Sequence, residues 1–73
     1  MLENMWIPID QDVPVDDRYV LLSFSNFKVP MVGRYEEEDG GGNFFIGDDL
    51  ESCISQDLYV NAWMPLPECY EDA

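Results

Sequence analysis

The sequence predicts a mainly β domain, a small antiparallel meander or SH3-like barrel of four to six short strands with at most one short helix. Three observations lead there. Over Val29–Tyr35 the set Val29, Met31, Gly33 and Tyr35 stands opposed to Pro30, Val32 and Arg34, and Leu58–Met64 divides in the same way, with the two-residue period of a strand. Turn-forming residues break the chain at short intervals, at Pro14, at Asn26 and at the Gly40-Gly41-Gly42 triplet, so no element runs long. Two tryptophan–proline segments, Trp6-Ile7-Pro8 and Trp63-Met64-Pro65-Leu66-Pro67, cannot be ordinary helix or central strand, because each proline fixes φ and lacks an N–H. These two segments are expected to meet in space and close the fold.

Met5–Ile9 reads as a short opening strand that Pro8 confines to an edge or a strand end. Asp10–Asp17, with four acids and Pro14, reads as a loop. Arg18–Phe24 is the strongest strand signal. Its four consecutive apolar residues, Tyr19–Leu22, fit a strand covered on both faces, as at the centre of a sheet. Ser25–Lys28 is a tight connection in which Asn26 tolerates left-handed backbone, and Val29–Tyr35 is the hairpin partner. Gly33 within it signals a bulge or a sharp coil of the sheet. Glu36–Asn43 reads as a charged, flexible hairpin tip, and Asn43–Gly47 as a short returning strand. Over Asp48–Asp57 two readings stand: a short helix capped by Asp48 or Asp49 with Leu50, Cys53 and Ile54 on one face, or an irregular loop. Leu58–Met64 is the closing strand, with Leu58, Val60, Ala62 and Met64 opposed to Tyr59, Asn61 and Trp63. A flat three-stranded sheet with one helix is the alternative architecture.

Seventy-three residues make one domain, with residues 4–67 as its folded core and 1–3 and 69–73 as loose ends. That length is close to the lower limit at which a core offsets chain entropy without disulfides or metal. Ten aromatics supply the compensation, each with about 150–250 Å² to bury. Cys53 and Cys69 are too few and too casually spaced for a disulfide framework or metal site, and are expected as free thiols. The opening Met-Leu-Glu-Asn has neither a basic nor an apolar leader region, and no apolar run approaches the ~20 residues of a membrane span. A cytoplasmic protein is expected.

Charge is the extreme property: sixteen Asp and Glu against three Lys and Arg, with no histidine, for a formal −13. Direct contact with nucleic acid or an anionic membrane needs basic patches that three scattered cations cannot make. Acid–base catalysis would fall to carboxylates, which need burial or a close like charge to raise their pKa toward neutrality, and the acids here lie in predicted loops. No enzyme and no cofactor is therefore expected. Glu36–Asp39 and Asp48, Asp49 and Glu51 offer oxygens to calcium, but neither follows the alternating acidic loop with its distal glutamate, so no metal is expected.

The acids fall into three clusters, Asp10/Asp12/Asp16/Asp17, Glu36/Glu37/Glu38/Asp39 and Asp48/Asp49/Glu51, while the predicted strands are nearly free of charge. Side chains two apart on an extended chain stand about 6.6–6.8 Å apart. Rows of that kind space carboxylates much as a nucleic-acid backbone spaces phosphates, the pattern that Arg and Lys of a nucleic-acid-binding protein grip. These eleven residues are the candidate partner-binding surface.

The frame W-I-P-I, V-P, D-R-Y-V-L-L, V-G-R-Y-E and A-W-M-P-L-P-E resembles a short family of uncharacterised phage and bacterial proteins that closes on H-W-M-P-L-P-E-P. The similarity covers most of the chain, and its specific part is Trp63–Glu68. Ala62 stands where the family carries histidine, and Cys69 replaces its final proline. The family has no established activity; the resemblance implies a fold and a phage setting, with the host cytoplasm as location. A phage setting gives the acids a use: mimicry of nucleic acid, occupying the basic surface of a host nuclease or CRISPR effector as an anti-CRISPR or anti-restriction inhibitor. A monomer or weak dimer is expected. The other reading is a non-mimic interaction module, in which an aromatic patch of Trp6, Phe27, Tyr59 and Tyr70 binds a protein partner, or an accessory phage protein, with the acids serving solubility.

Overall fold

A computed structural model describes residues 5–38 and 41–67. It contains one five-stranded antiparallel sheet: β1 (Ile7–Pro8), β2 (Val20–Phe24), β3 (Met31–Glu38), β4 (Gly41–Ile46) and β5 (Val60–Pro65). The spatial order is β1-β5-β2-β3-β4. Strands β2, β3 and β4 form the expected meander, and β5 returns to the free side of β2. The sheet is open, with β1 and β4 as its edges, and does not close into a barrel. Of the stretch read as either a short helix or an irregular loop, only Ile54–Gln56 forms a 3₁₀ turn. Among the described residues no helix is long and apolar enough to cross a membrane. The loose ends expected at 1–3 and 69–73, and with them Cys69 and Tyr70, lie outside the described residues.

The two tryptophan–proline segments do meet, but Trp63–Pro65 is not excluded from the sheet interior as expected: it forms the end of β5, which lies between β1 and β2, with Trp63 paired to both Ile7 and Leu22. Ile7 pairs with Trp63 and Pro8 with Ala62, which leaves Pro8 on an edge strand where its missing N–H costs no ladder bond. Strand β2 is central, but it is buried on one face only: its inward residues Val20, Leu22 and Phe24 are buried together with Cys53, while Leu21 on the other face is half-buried and Tyr19, just before the strand, is exposed, so the expected cover on both faces is absent. Met31, Phe44, Ile46, Leu58, Val60 and Trp63 pack around them. Each large side chain so removed from water contributes about 1.5–3 kcal/mol.

Three further sequence expectations are corrected. The register of β5 against β2 shifts between Ser23 and Phe24, so that Ser23 faces Ala62 but Phe24 faces Val60, with Asn61 as the extra residue. A bulge of this kind resets the alternation. Val60 and Trp63, assigned to opposite faces by strict alternation, therefore both point at the core. Gly33 holds no bulge: it pairs regularly with Val20 and with Ile46. A Cβ there would run into the backbone carbonyl of Phe45 and the Leu22 side chain, so close packing demands the glycine. Asn26 is not the left-handed residue of its loop; among the described non-glycine residues only Asp57 has positive φ, at 62°. The Asn26 amide instead donates to Asp57 O at 2.6 Å and accepts from the Tyr59 N–H at 3.1 Å, tying the loop after β2 to the start of β5.

Candidate functional site

The three acidic clusters occupy three different settings. Asp10, Asp12, Asp16 and Asp17 are exposed in the loop from β1 to β2. That loop folds back across the inner face of the sheet, burying Pro14 and accepting the Trp63 indole N–H on Asp12 O at 3.1 Å. Arg18 caps its end, with Nη2 at 3.1 Å from Asp16 Oδ2. The Arg18 side chain, and then its backbone N–H, hold the Asp16 carboxyl below the ordinary range.

The second cluster is not a loop. Glu36, Glu37 and Glu38 are the last three residues of β3, paired with Asn43, Gly42 and Gly41 of β4; Asp39 lies outside the described residues. The strand persists because every glutamate has a small neutral residue opposite it, which removes the cross-strand repulsion that would fray a row of acids. Alternation then separates them. Glu37 is exposed on the inner-face side, beyond Tyr35, whereas Glu36 is half-buried on the outer face, where Arg34 Nε meets its Oε2 at 2.7 Å. Glu36 is thus committed internally.

Asp48, Asp49 and Glu51 are exposed in the loop leaving β4. Their neighbourhood is organised by Arg34, whose side chain is only 13% exposed. Its guanidinium lies 4.7 Å over the Phe45 ring, bonds the carbonyl of Gly47, and donates to Asp49 O at 2.9 Å. The Glu36 hydrogen bond is the main reason that its pKa is raised further. The Tyr19 hydroxyl donates to the Asp48 carboxylate, and this bond, followed by desolvation, raises the Tyr19 pKa. Further along, Ser52 bridges Phe45 and the Cys53 N–H donates to Phe44 O at 2.8 Å. Of the two readings of this stretch, the structure has mostly irregular loop with one 3₁₀ turn, and the three apolar residues do not share a buried face: Cys53 is buried while Leu50 and Ile54 stand 91% and 64% exposed. Desolvation, with Asp49 adding to it, raises the Cys53 thiol above its ordinary pKa.

The clusters thus do not merge into one row. Among the described residues the first and third clusters are linked only by the hydrogen bond from Tyr19, two residues after Asp17, to Asp48, whereas Glu37 lies on the other face of the sheet from Glu36. Two of the three cations are taken up in ion pairs, leaving Lys28 as the one outside a pair among the described residues. No group of three or more acidic or cysteine side chains converges as a metal site among them. The aromatic patch also divides: Phe27 packs edge-on against Phe24 at 6.2 Å and shares the Asn26 corner with Tyr59, while Trp6 precedes Ile7 at the far half of β5.

Sequence reasoning missed one feature. A groove of about 260 Å³ opens on the inner side, floored by Phe44, Leu58 and Val60 and walled by Tyr35 and Tyr59. Tyr35 and Phe44 face each other across β3 and β4 with ring centroids 4.8 Å apart. The alternation of β3 contained half of this signal; the contribution of Leu58 and Tyr59 depends on the bulge. Compared with protein-family models, curated proteins and solved structures, the chain matches none.

Proposed function

We propose that this protein binds the basic surface of a nucleic-acid-binding partner, and that it is a phage-type inhibitor working by charge mimicry of nucleic acid. The supporting observation is the disposition of charge. With Arg18 and Arg34 held in intramolecular pairs, the carboxylates of Asp10, Asp12, Asp17, Glu37, Asp48, Asp49 and Glu51 are left without a cationic partner among the described residues. Such a surface attracts lysine- and arginine-lined grooves and speeds association with them, at a strength that falls with ionic strength. Glu36 and Asp16 are removed from the candidate surface by their own arginines. Glu38 and Asp39 stay in it on sequence grounds.

The test is capture from a bacterial extract with the intact chain as bait, beside a variant carrying Asp17→Lys, Glu37→Lys and Asp49→Lys. None of these three carboxylates holds a hydrogen bond or ion pair among the described residues, so the fold should survive. The expected result is a nucleic-acid-binding protein that is released by salt, displaced by competing DNA and lost with the variant. Retention of a partner in high salt and by the charge-reversed variant would overturn the proposal.

A further inference from the structure

The groove beside Cys53 joins an apolar lining to flanking segments rich in exposed acids. Its floor is Phe44, Leu58 and Val60, and Ile54 and Tyr59 stand 64% and 50% exposed at its mouth. Four acids flank the lining in sequence or register. Asp10 follows Ile9, Asp12 precedes Val13, Asp57 precedes Leu58, and Glu37 sits directly opposite Gly42. Two of the three cations are engaged away from the groove, and the third lies in a loop that reaches its edge through the bond from Asn26 to Asp57 O. Arg34, though adjacent to Tyr35, turns to the opposite face over Phe45; Arg18 is bound to Asp16; Lys28 lies in the loop between β2 and β3.

From this pairing of surfaces we infer that the groove is a docking site for a cationic segment of another protein, one that places a large apolar side chain between lysines or arginines. The apolar residue fills the groove and the flanking cations meet Glu37, Asp10, Asp12 and Asp57. A volume of about 260 Å³ falls below the ~300–1,000 Å³ of small-molecule pockets and suits a side chain or two. Anchors of this kind, buried in a pocket and ringed by polar contacts, carry most of the binding energy of an interface. A second copy of this chain is a poor occupant, because each copy brings a formal −13 to an already acidic rim. The site goes beyond charge mimicry, since it requires an apolar anchor and does not depend on the acids of the loop after β4.

Two pentapeptides serve as probes, one with tryptophan between two lysine pairs and one with alanine in its place. Both are titrated into the isotope-labelled full chain and followed by amide shifts. The tryptophan peptide should bind at least ~10-fold more tightly than its alanine twin, a difference of about 1.4 kcal/mol. Its shifts should cluster at Tyr35, Phe44, Leu58 and Tyr59. Replacing the exposed Ile54 and Tyr59 by serine should abolish the preference while circular dichroism stays native, and Leu50→Ser, in the neighbouring loop, should leave it intact. Equal binding of the two peptides would overturn the inference, as would shifts confined to Asp48–Glu51. So would equal affinity for a peptide with serines in place of lysines, or concentration-dependent shifts in the groove without any peptide, which would mark a second copy as the occupant. The lysate test of charge mimicry can fail without affecting any of these outcomes.

Discussion

Trp63 and Asp12 are joined across 51 residues of sequence by a single hydrogen bond, from the indole N–H to a backbone carbonyl 3.1 Å away. The bond fastens the acidic β1–β2 loop over the inner face and places Pro14 against the core. Trp63→Phe keeps a ring but loses the donor, and should cost about 1 kcal/mol. Because the acceptor is main chain, Asp12→Ala should leave the bond in place and cost no more than a few tenths of a kcal/mol, its carboxylate bonding only the adjacent Val13 N–H. Urea denaturation with an unchanged m-value reads both. Equal losses for the two variants would contradict the assignment.

Two glycines separate a rigid constraint from a yielding one. A methyl at Gly33 would meet the Phe45 carbonyl and Leu22, and backbone cannot move aside; a methyl at Gly42 would meet the far end of the Tyr35 side chain, which can rotate. Gly33→Ala should therefore cost at least about 3 kcal/mol, in the upper range for overpacking, and Gly42→Ala well under half of that. The Gly42 variant should also expose Tyr35 to solvent quenchers. Comparable stability of the two variants would show that β3 and β4 have more slack than their register implies.

Arg34 predicts a further asymmetry. Lysine at this position keeps the charge but cannot reach Glu36, Gly47 O and Asp49 O at once, since only guanidinium presents a planar fork of donors. Arg34→Lys should cost about 1–3 kcal/mol through carbonyls left unpaired, and amide exchange should quicken over Gly47–Glu51 more than in β2. Uniform exchange changes across the sheet would argue against a local anchor.

These same residues show what the sequence could and could not disclose. A continuous apolar run identified β2, alternation identified β3 and β5, and the paired tryptophan–proline segments identified a contact that exists as Ile7↔Trp63 and Pro8↔Ala62. Alternation failed where one residue was inserted: nothing local to Asn61 announces the bulge, which exists because Phe24 and Val60 gain burial by facing each other. The glutamates of β3 read as a loop because strand propensity disfavours them. Their neutral partners, forty-one to forty-three, become partners only once the hairpin register is known. The acidic clusters were visible as composition, whereas their division by Arg18 and Arg34 depended on side-chain geometry.

Sixteen acids against three cations set the response of stability to salt. Screening weakens the Arg18–Asp16 and Arg34–Glu36 attractions, but it also weakens a far larger number of repulsions. The melting temperature should rise as salt goes from about 0.01 M to about 1 M, over which the Debye length falls from ~30 Å to ~3 Å. A fall would mean that the two ion pairs outweigh the net charge.

The Tyr19–Asp48 hydrogen bond gives the fold an alkaline limb. Donating to Asp48 favours the protonated phenol, which raises the Tyr19 pKa from its ordinary value of about 10. The native state therefore holds this proton more tightly than the unfolded chain does. The resulting stabilisation is fully present below pH ~10 and is lost as pH rises through the higher native value. Tyrosinate absorbance should show a late-titrating phenol that Tyr19→Phe removes, and Asp48→Ala should bring its midpoint down. The drop in stability on going alkaline should be smaller in Tyr19→Phe than in the parent. If Asp48→Ala leaves the late midpoint where it was, the carboxylate is not what holds the proton.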